Sequence, residues 1–510
     1  NKCVYYYGCL LHGARRHASH ADIVVTNHAL LFCDCMFDGA ILPPIAHWVI
    51  DEAHAAESEA RRQLTVQVEA RGLMNDLVQL RGTDGMLAHL VARAQKTGGG
   101  LLVVGLANKL RTSAVAAQPV AESFFSHVKE LSELAVKSNY DRIDLWINPQ
   151  VRDSSQWGMV VSLGGALIKR LEGLVKEGRD TVSACAEFEE LLEAQSDLSA
   201  LVMRLQEIRD ALTLIVEGVD QGYVYYAELD RRENVPGDRL VAASLDVGGA
   251  LAESFYPQQM SVTYASATIA AGTDFSYFVR GVGLDLIPDG SFSTLQLASS
   301  YDFEQNMTVF LPDDLPEPNG PGYRTALEEL LFEVHVAMEG SVLTLFTNRR
   351  DMERCHEQLK PRLEARGLQL KCQFRTMSAK RLRDEFVEDK HLSLFALRSF
   401  WEGFDAPGET LRCVIIPKLP FGRPTDPLQC ERDQRESNAW KRYVLPEAVI
   451  DLKQAAGRLI RSSTDTGCLV LADARLRTKW YGRSFLAALP SQRQYVRSTL
   501  EIVEEMRRLY

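Results

Sequence analysis

The sequence runs to 510 residues, too long for one small domain and enough for roughly three cores. Charged residues make up 25% and apolar residues 46%, and no run reaches the ~18 uninterrupted apolar residues of a spanning helix, so disorder and helical membrane insertion are excluded. The net charge of −11 is unevenly placed: residues 1–320 carry 25 Lys and Arg against 42 Asp and Glu, whereas residues 321–510 carry 32 against 26, leaving the C-terminal part free to face a polyanion.

Two short apolar runs open the chain. Ile23-Val24-Val25 stops at Thr26-Asn27-His28, and Trp48-Val49-Ile50 stops at Asp51-Glu52-Ala53-His54. Both read as buried parallel strands, and ligands of open α/β sheets collect at such C-terminal strand ends. From about residue 56 to 235 the apolar residues recur at spacings of three and four, clearest in 163–178 and 186–217, which predicts a helical insertion without sheet. Its Glu187, Glu189, Glu190, Glu193 and Asp197 read as the solvated face of a helix. Strand text resumes at 262–264. The turn-rich stretch 311–322 is the linker candidate. Beyond it, 342–346, 392–397, 413–416 and 468–471 are apolar runs separated by helical text, predicting a second α/β sheet. The expected division is 1–55 and 236–315 for the first sheet domain, 56–235 for the insertion and 316–510 for the second sheet domain.

Adjacent carboxylates at a strand exit suit nucleoside triphosphate hydrolysis, with Asp51 on a magnesium ion and Glu52 polarising the attacking water; Asp-Glu pairs also favour helix N-termini for electrostatic reasons alone. In Gln454-Ala455-Ala456-Gly457-Arg458-Leu459-Ile460-Arg461, a helix would align Gln454, Arg458 and Arg461 on one stripe, able to clamp a transferring phosphoryl group. Gly457 inside that helix implies a close approach by backbone or ligand, since it costs about 1 kcal/mol relative to Ala. The loop 399–408 offers Glu402, Gly403 and Asp405 between two strands, either as a nucleotide-sensing loop or as a plain Pro-Gly turn. Ser266 and Thr268 put two hydroxyls at a strand end. Thr347 and Asn348 end another, with Asn348 a helix-cap candidate.

The order of these elements resembles XPD/DinG-type superfamily 2 DNA helicases, and bacterial DinG-like members most closely. Asp51 to His54 is similar to motif II, Ser266 to Thr268 to motif III, Phe346 to Asn348 to motif IV, the loop 399–408 to motif V, and Gln454 to Arg461 to motif VI. The segment Thr26-Asn27-His28-Ala29-Leu30-Leu31 and the tail Leu471-Ala472-Asp473-Ala474-Arg475-Leu476 are also similar to DinG-like text. The resemblance implies an α/β fold of two RecA-like parallel-sheet motor domains, with a large helical, Arch-like insertion in the first. It implies ATP and Mg2+ at their interface, with Asp51, Glu52, His54, Gln454, Arg458 and Arg461 catalytic, and Ser266, Thr268, Glu402, Gly403 and Asp405 in nucleotide binding and coupling. Asn27, His28, Thr347 and Asn348 would contact DNA. The partners would be single-stranded and forked duplex DNA, with 5′ to 3′ movement; a monomer is expected, because one chain holds both motor domains.

Cys3 and Cys9 resemble the last two ligands of the family's [4Fe-4S] cluster, which needs four thiolates. A zinc site from these cysteines with two of His12, His17 and His20, or unligated thiols, are the other readings. The ten cysteines lack the density of a secreted disulfide scaffold, so the expected compartment is a reducing cytoplasm, with no membrane partner. No G-x-x-x-x-G-K-[ST] occurs, and this phosphate-cradling loop is needed for P-loop phosphoryl transfer. Thr97-Gly98-Gly99-Gly100 lacks the lysine and reads as a turn. Together with the missing initiator Met and the missing cluster ligands, this leads to the expectation of an N-terminally truncated helicase, inactive alone. An ATPase-inactive DNA-binding or regulatory module is the alternative, and an upstream nuclease domain is also compatible.

Overall fold

The computed structural model describes residues 9–36, 39–135, 142–230, 237–400 and 410–509. Three packed bodies follow from three hydrophobic patterns. The first contains strand β1 (His47–Ile50). The insertion that follows holds β2 (Val66–Glu69), β3 (Arg142–Trp146), β4 (Tyr223–Asp230) and β5 (Arg239–Ser244), after which the chain returns to the first body with β6 (Ser261–Tyr264). The third body, the second sheet region, holds β7 (Met307–Pro312), β8 (Val342–Leu345), β9 (Gln369–Cys372), β10 (Leu392–Ala396), β11 (Cys413–Ile416), β12 (Gly467–Leu471) and β13 (Gln494–Arg497).

The second sheet region is a seven-stranded sheet in the order β13-β7-β12-β11-β8-β10-β9, and every pairing in it is parallel. Such a sheet is covered on both faces, and the period-2 alternation assigns residues to each. Leu343, Leu345, Val414, Ile416, Leu469 and Leu471 pack on the helices Leu445–Ala456 and Gly482–Ala488. Val342, Phe395, Cys413, Ile415, Cys468 and Val470 pack on Tyr323–Ala337, Arg349–Glu364 and Thr499–Leu509.

In the first region, β1 and β6 form a parallel two-stranded sheet, with Trp48 and Ile50 buried among Phe32, Ala56, Leu251 and Phe255. The insertion packs three long helices, Leu101–Glu130, Ser155–Cys185 and Leu192–Glu217, in one core. A Cβ on Gly178 would lie 2.4 Å from Val202 Cγ2, so glycine there permits the close crossing of the last two helices.

The α/β class with a large helical insertion is observed; four expectations are corrected. The insertion is not purely helical: β2, β5, β4 and β3 form a four-stranded sheet that is antiparallel throughout, with the Tyr-Val alternation of β4 supplying its strand pattern. Consequently 239–244 belongs to the insertion rather than to the returning first domain. The stretch 311–322 is no linker between domains, because β7 already lies inside the second sheet and the Pro-Gly text turns it into the helix Tyr323–Ala337; turn chemistry marks a turn, not a boundary. Ile23-Val24-Val25 is extended without a ladder, and Ile23 and Val25 are 82% and 92% exposed, since among the described residues no strand pairs with it. The acidic residues 187, 189, 190, 193 and 197 are solvated, and the triple glycine is a turn before Leu101.

Candidate active site

The carboxyl end of β1 delivers Asp51 and Glu52 to the surface, both exposed. Glu52 adopts φ 48°, ψ 42°, a left-handed conformation that costs a non-glycine residue about 1–2 kcal/mol. Backbone bonds on either side hold it: Ala265 N–H donates to Ile50 O (2.9 Å) and Ala53 N–H to Ala265 O (3.0 Å), while Glu52 N–H donates to Asp51 Oδ1 (2.9 Å). His28 Nε2 bonds to Asp51 O (2.8 Å). Asn27 caps the helix that His28 begins, its Oδ1 accepting from Leu30 N–H (2.8 Å), so both residues brace the carboxylate turn.

His54 links this turn to the exit of β6. Its Nδ1 lies 3.0 Å from Ser266 Oγ and 3.4 Å from Glu52 Oε2. Ser266 Oγ accepts from Thr268 N–H (3.3 Å), and Thr268 Oγ1 accepts from Gln454 Nε2 (3.1 Å). Thr268 and Gln454 are buried, where a hydrogen bond lost from one partner costs about 1–3 kcal/mol. His54, Ser266, Thr268 and Gln454 thus form one path from the first sheet region to the second, its middle link passing through the Thr268 backbone N–H.

The stripe expected of Gln454, Arg458 and Arg461 is corrected: the helix Leu445–Ala456 ends with Gly457 as its C-cap, so only Gln454 is helical and the arginines follow in the turn and loop beyond. Gly457 meets only ordinary contacts at 3.5 Å in an αR conformation, so the close approach expected there is not found. Arg461 lines a cleft of about 1600 Å³ with Ser266, Thr268, Lys453 and Gly457. A second cavity, of about 870 Å³, is lined by His54, Gln454, Glu57, Arg432 and Asp144.

Asn348 caps the helix Arg349–Glu364, accepting from Asp351 N–H (2.8 Å), and Thr347 beside it is exposed. Glu402, Gly403 and Asp405 lie outside the described residues, as does Cys3. Cys9 precedes the helix Leu10–Ser19, which buries none of its residues, and burial pushes the Cys35 thiol up to about 12 with Asp34 adding to the effect. Among the described residues no three His, Cys, Asp or Glu side chains converge as a metal site.

The contacts that bind the insertion to the second sheet region were not legible as a motif. Trp146 Nε1 donates to Glu431 Oε2 (2.8 Å), Arg435 to Gln221 O (2.7 Å), and Arg423 pairs with Asp144 (3.5 Å). From the first region, Glu57 on the helix Ala56–Leu64 pairs with Arg432 at 3.2 Å and with Arg61 of its own helix at 2.5 Å. Burial at this junction raises the Asp144 and Glu228 carboxyls above their ordinary range and pushes Tyr226 up to about 12.

Parts of the chain are similar to known proteins. Residues 331–492 match the helicase C-terminal domain. The chain is 27% identical to the 3'-5' exonuclease DinG of Bacillus subtilis over 94% of its own length and 52% of that protein. It is 28% identical to the ATP-dependent DNA helicase DinG of Photobacterium profundum, covering 94% of this chain and 70% of the relative. The ATP-dependent DNA helicase YoaA of Escherichia coli is also 28% identical, over 96% and 70%. The chain therefore spans about half of the first relative and 70% of the other two. Among solved structures, S. tokodaii Xpd4 aligns with a TM-score of 0.46 at 14% identity, over 88% of this chain and 75% of that one.

Proposed function

We propose that this chain, DinG/XPD-type in sequence and in the order of its motifs, forms the ATP-driven motor of a DNA helicase that moves 5′ to 3′ on single-stranded DNA and opens forked duplexes. The observation that carries the reading is the path His54–Ser266–Thr268–Gln454, which ties the carboxylate turn of one motor region to the motif VI helix of the other. In this reading Glu52 orients and polarises the attacking water, with His54 3.4 Å from its carboxylate. Asp51 is the carboxylate suited to a magnesium ion, which when bound neutralises phosphate charge. Gln454 reports closure of the two regions to the β6 exit, and Arg458 and Arg461 stabilise charge on the transferring phosphoryl group.

The strand would run over the carboxyl edge of the second sheet past Thr347 and Asn348, the motif V loop completing the track, with the positive balance of residues 321–510 attracting the phosphates. The motor would act as a monomer, since one chain carries both the carboxylate turn and the Gln454 segment that meets it, and would work in the cytoplasm. The 510 residues contain no G-x-x-x-x-G-K-[ST], which favours a second reading for them in isolation: DNA binding without hydrolysis. Fusing a P-loop segment from a DinG relative ahead of Asn1 separates the two. The motor reading predicts ATP hydrolysis stimulated by single strands in the fusion, absent from the 510-residue chain and abolished by Glu52→Gln. A folded, DNA-binding fusion without turnover overturns it in favour of the binding module.

A further inference from the structure

The carboxyl edge of the second sheet does not end at Asn348. Lys418, leaving β11, bonds Asp351 Oδ2 at 2.5 Å, and Leu419 N–H donates to Asp473 Oδ2 at 2.8 Å beyond β12. Arg475 grips the same Asp473 carboxylate at 2.6 Å and lies 5.5 Å over the ring of Phe421. Phe421 in turn packs against Trp440 and Tyr481, at 5.6 and 5.5 Å between ring centroids. The line of contacts finishes at Trp480, which is 61% exposed.

Trp480 is held rather than loose. Trp440 and Tyr481 meet it at 5.8 and 5.7 Å with steeply inclined planes. The preceding Thr478 and Lys479 both bind Glu317, at 2.7 and 3.0 Å. Lys441 Nζ sits 4.9 Å from its ring centroid. Trp440 and Lys441 are presented by a π-helical turn, Trp440–Val444, a rare geometry that concentrates at functional sites. An indole left mostly in water, fixed in orientation, with a cation against it, on the sheet edge where ligands of α/β folds collect, has no use in the core beneath it.

We infer that Trp480 is a base-stacking platform for single-stranded nucleic acid, with Lys441 meeting the adjoining phosphate. Every base has a π-face, so a pre-oriented indole beside a cation binds a strand without regard to sequence. The inference rests on the reading above that the second motor region carries single-stranded DNA, and names the residue that holds a base there.

The test uses the 510-residue chain and fluorescence anisotropy with a labelled oligothymidylate of about 20 nucleotides, beside an abasic strand of equal length. Trp480→Ala binds the oligothymidylate about 5- to 100-fold more weakly than wild type, Trp480→Phe stays within about threefold, and the abasic strand does not distinguish wild type from Trp480→Ala. Equal binding of oligothymidylate by wild type and Trp480→Ala overturns the platform while leaving the DNA reading intact, and points to a protein partner for the exposed indole. Failure of wild type to bind any single strand overturns both. Equal loss of Trp480→Ala affinity for both strands also overturns the platform, because stacking needs a base.

Discussion

The two sheet regions line one cleft from unequal scaffolds. The second has seven parallel strands with helices on both faces, and its strand residues alternate between two cores. Among the described residues the first has two strands, with Val49 in the middle of β1 at 74% exposure. The turn carrying Asp51 and Glu52 is held by its own core around Trp48 and Ile50, by backbone bonds to the β6 exit, and across to the second region by the Thr268–Gln454 bond and the Glu57–Arg432 pair.

Four substitutions or conditions break or sharpen that contrast. Phe395→Ala removes a fully buried ring that packs 5.1 Å from Phe346, and about 3–5 kcal/mol is expected from the stability of the second region, read in urea melts. Gln454→Ala leaves the buried Thr268 hydroxyl without its partner; it costs about 1–3 kcal/mol and shows as faster hydrogen exchange across residues 261–270. Acid acts next. Burial lowers His335 to about 3, beside Ser393 Oγ at 2.7 Å, so the folded state refuses a proton that the unfolded state takes. The stability from neutral His335 is complete above about pH 6.5 and falls by about 1.4 kcal/mol per pH unit below it, toward pH 3. Urea midpoints of the second region at pH 7 and pH 5 measure that slope. Val49→Ala comes last, at no more than about 0.5 kcal/mol, because its side chain already faces water; a large loss there would show that the first region has a core comparable to the second.

How much of this was legible depends on which physical signal each element carries. β8, β10, β11 and β12 are continuous apolar runs, the mark of strands buried on both faces, and were readable. β9, with the text QLKC, and β13, with QYVR, have too few apolar residues to stand out. Ile23-Val24-Val25 carries the strong signal without the structure, since composition records what a segment would bury and not whether a neighbour is there to pair with it. The aligned arginines failed at Gly457, which reads equally as a helix interior or a helix end. Asp51 to His54, Ser266 with Thr268, and Gln454 could be singled out by their order along the chain, but their meeting is tertiary, spanning 212 residues in one bond and 186 in another. The ion pair of Glu57 with Arg432 and the aromatic line ending at Trp480 have no local pattern at all.

The central claim is that the two motor regions make one site. It is tested most directly by a double-mutant cycle on single-strand-stimulated ATP hydrolysis in the P-loop fusion, with His54→Ala, Gln454→Ala and both together. If the path between them acts as a unit, the double variant loses no more kcat than the worse single variant. Losses that multiply would show that His54 and Gln454 act independently, and would contradict the account.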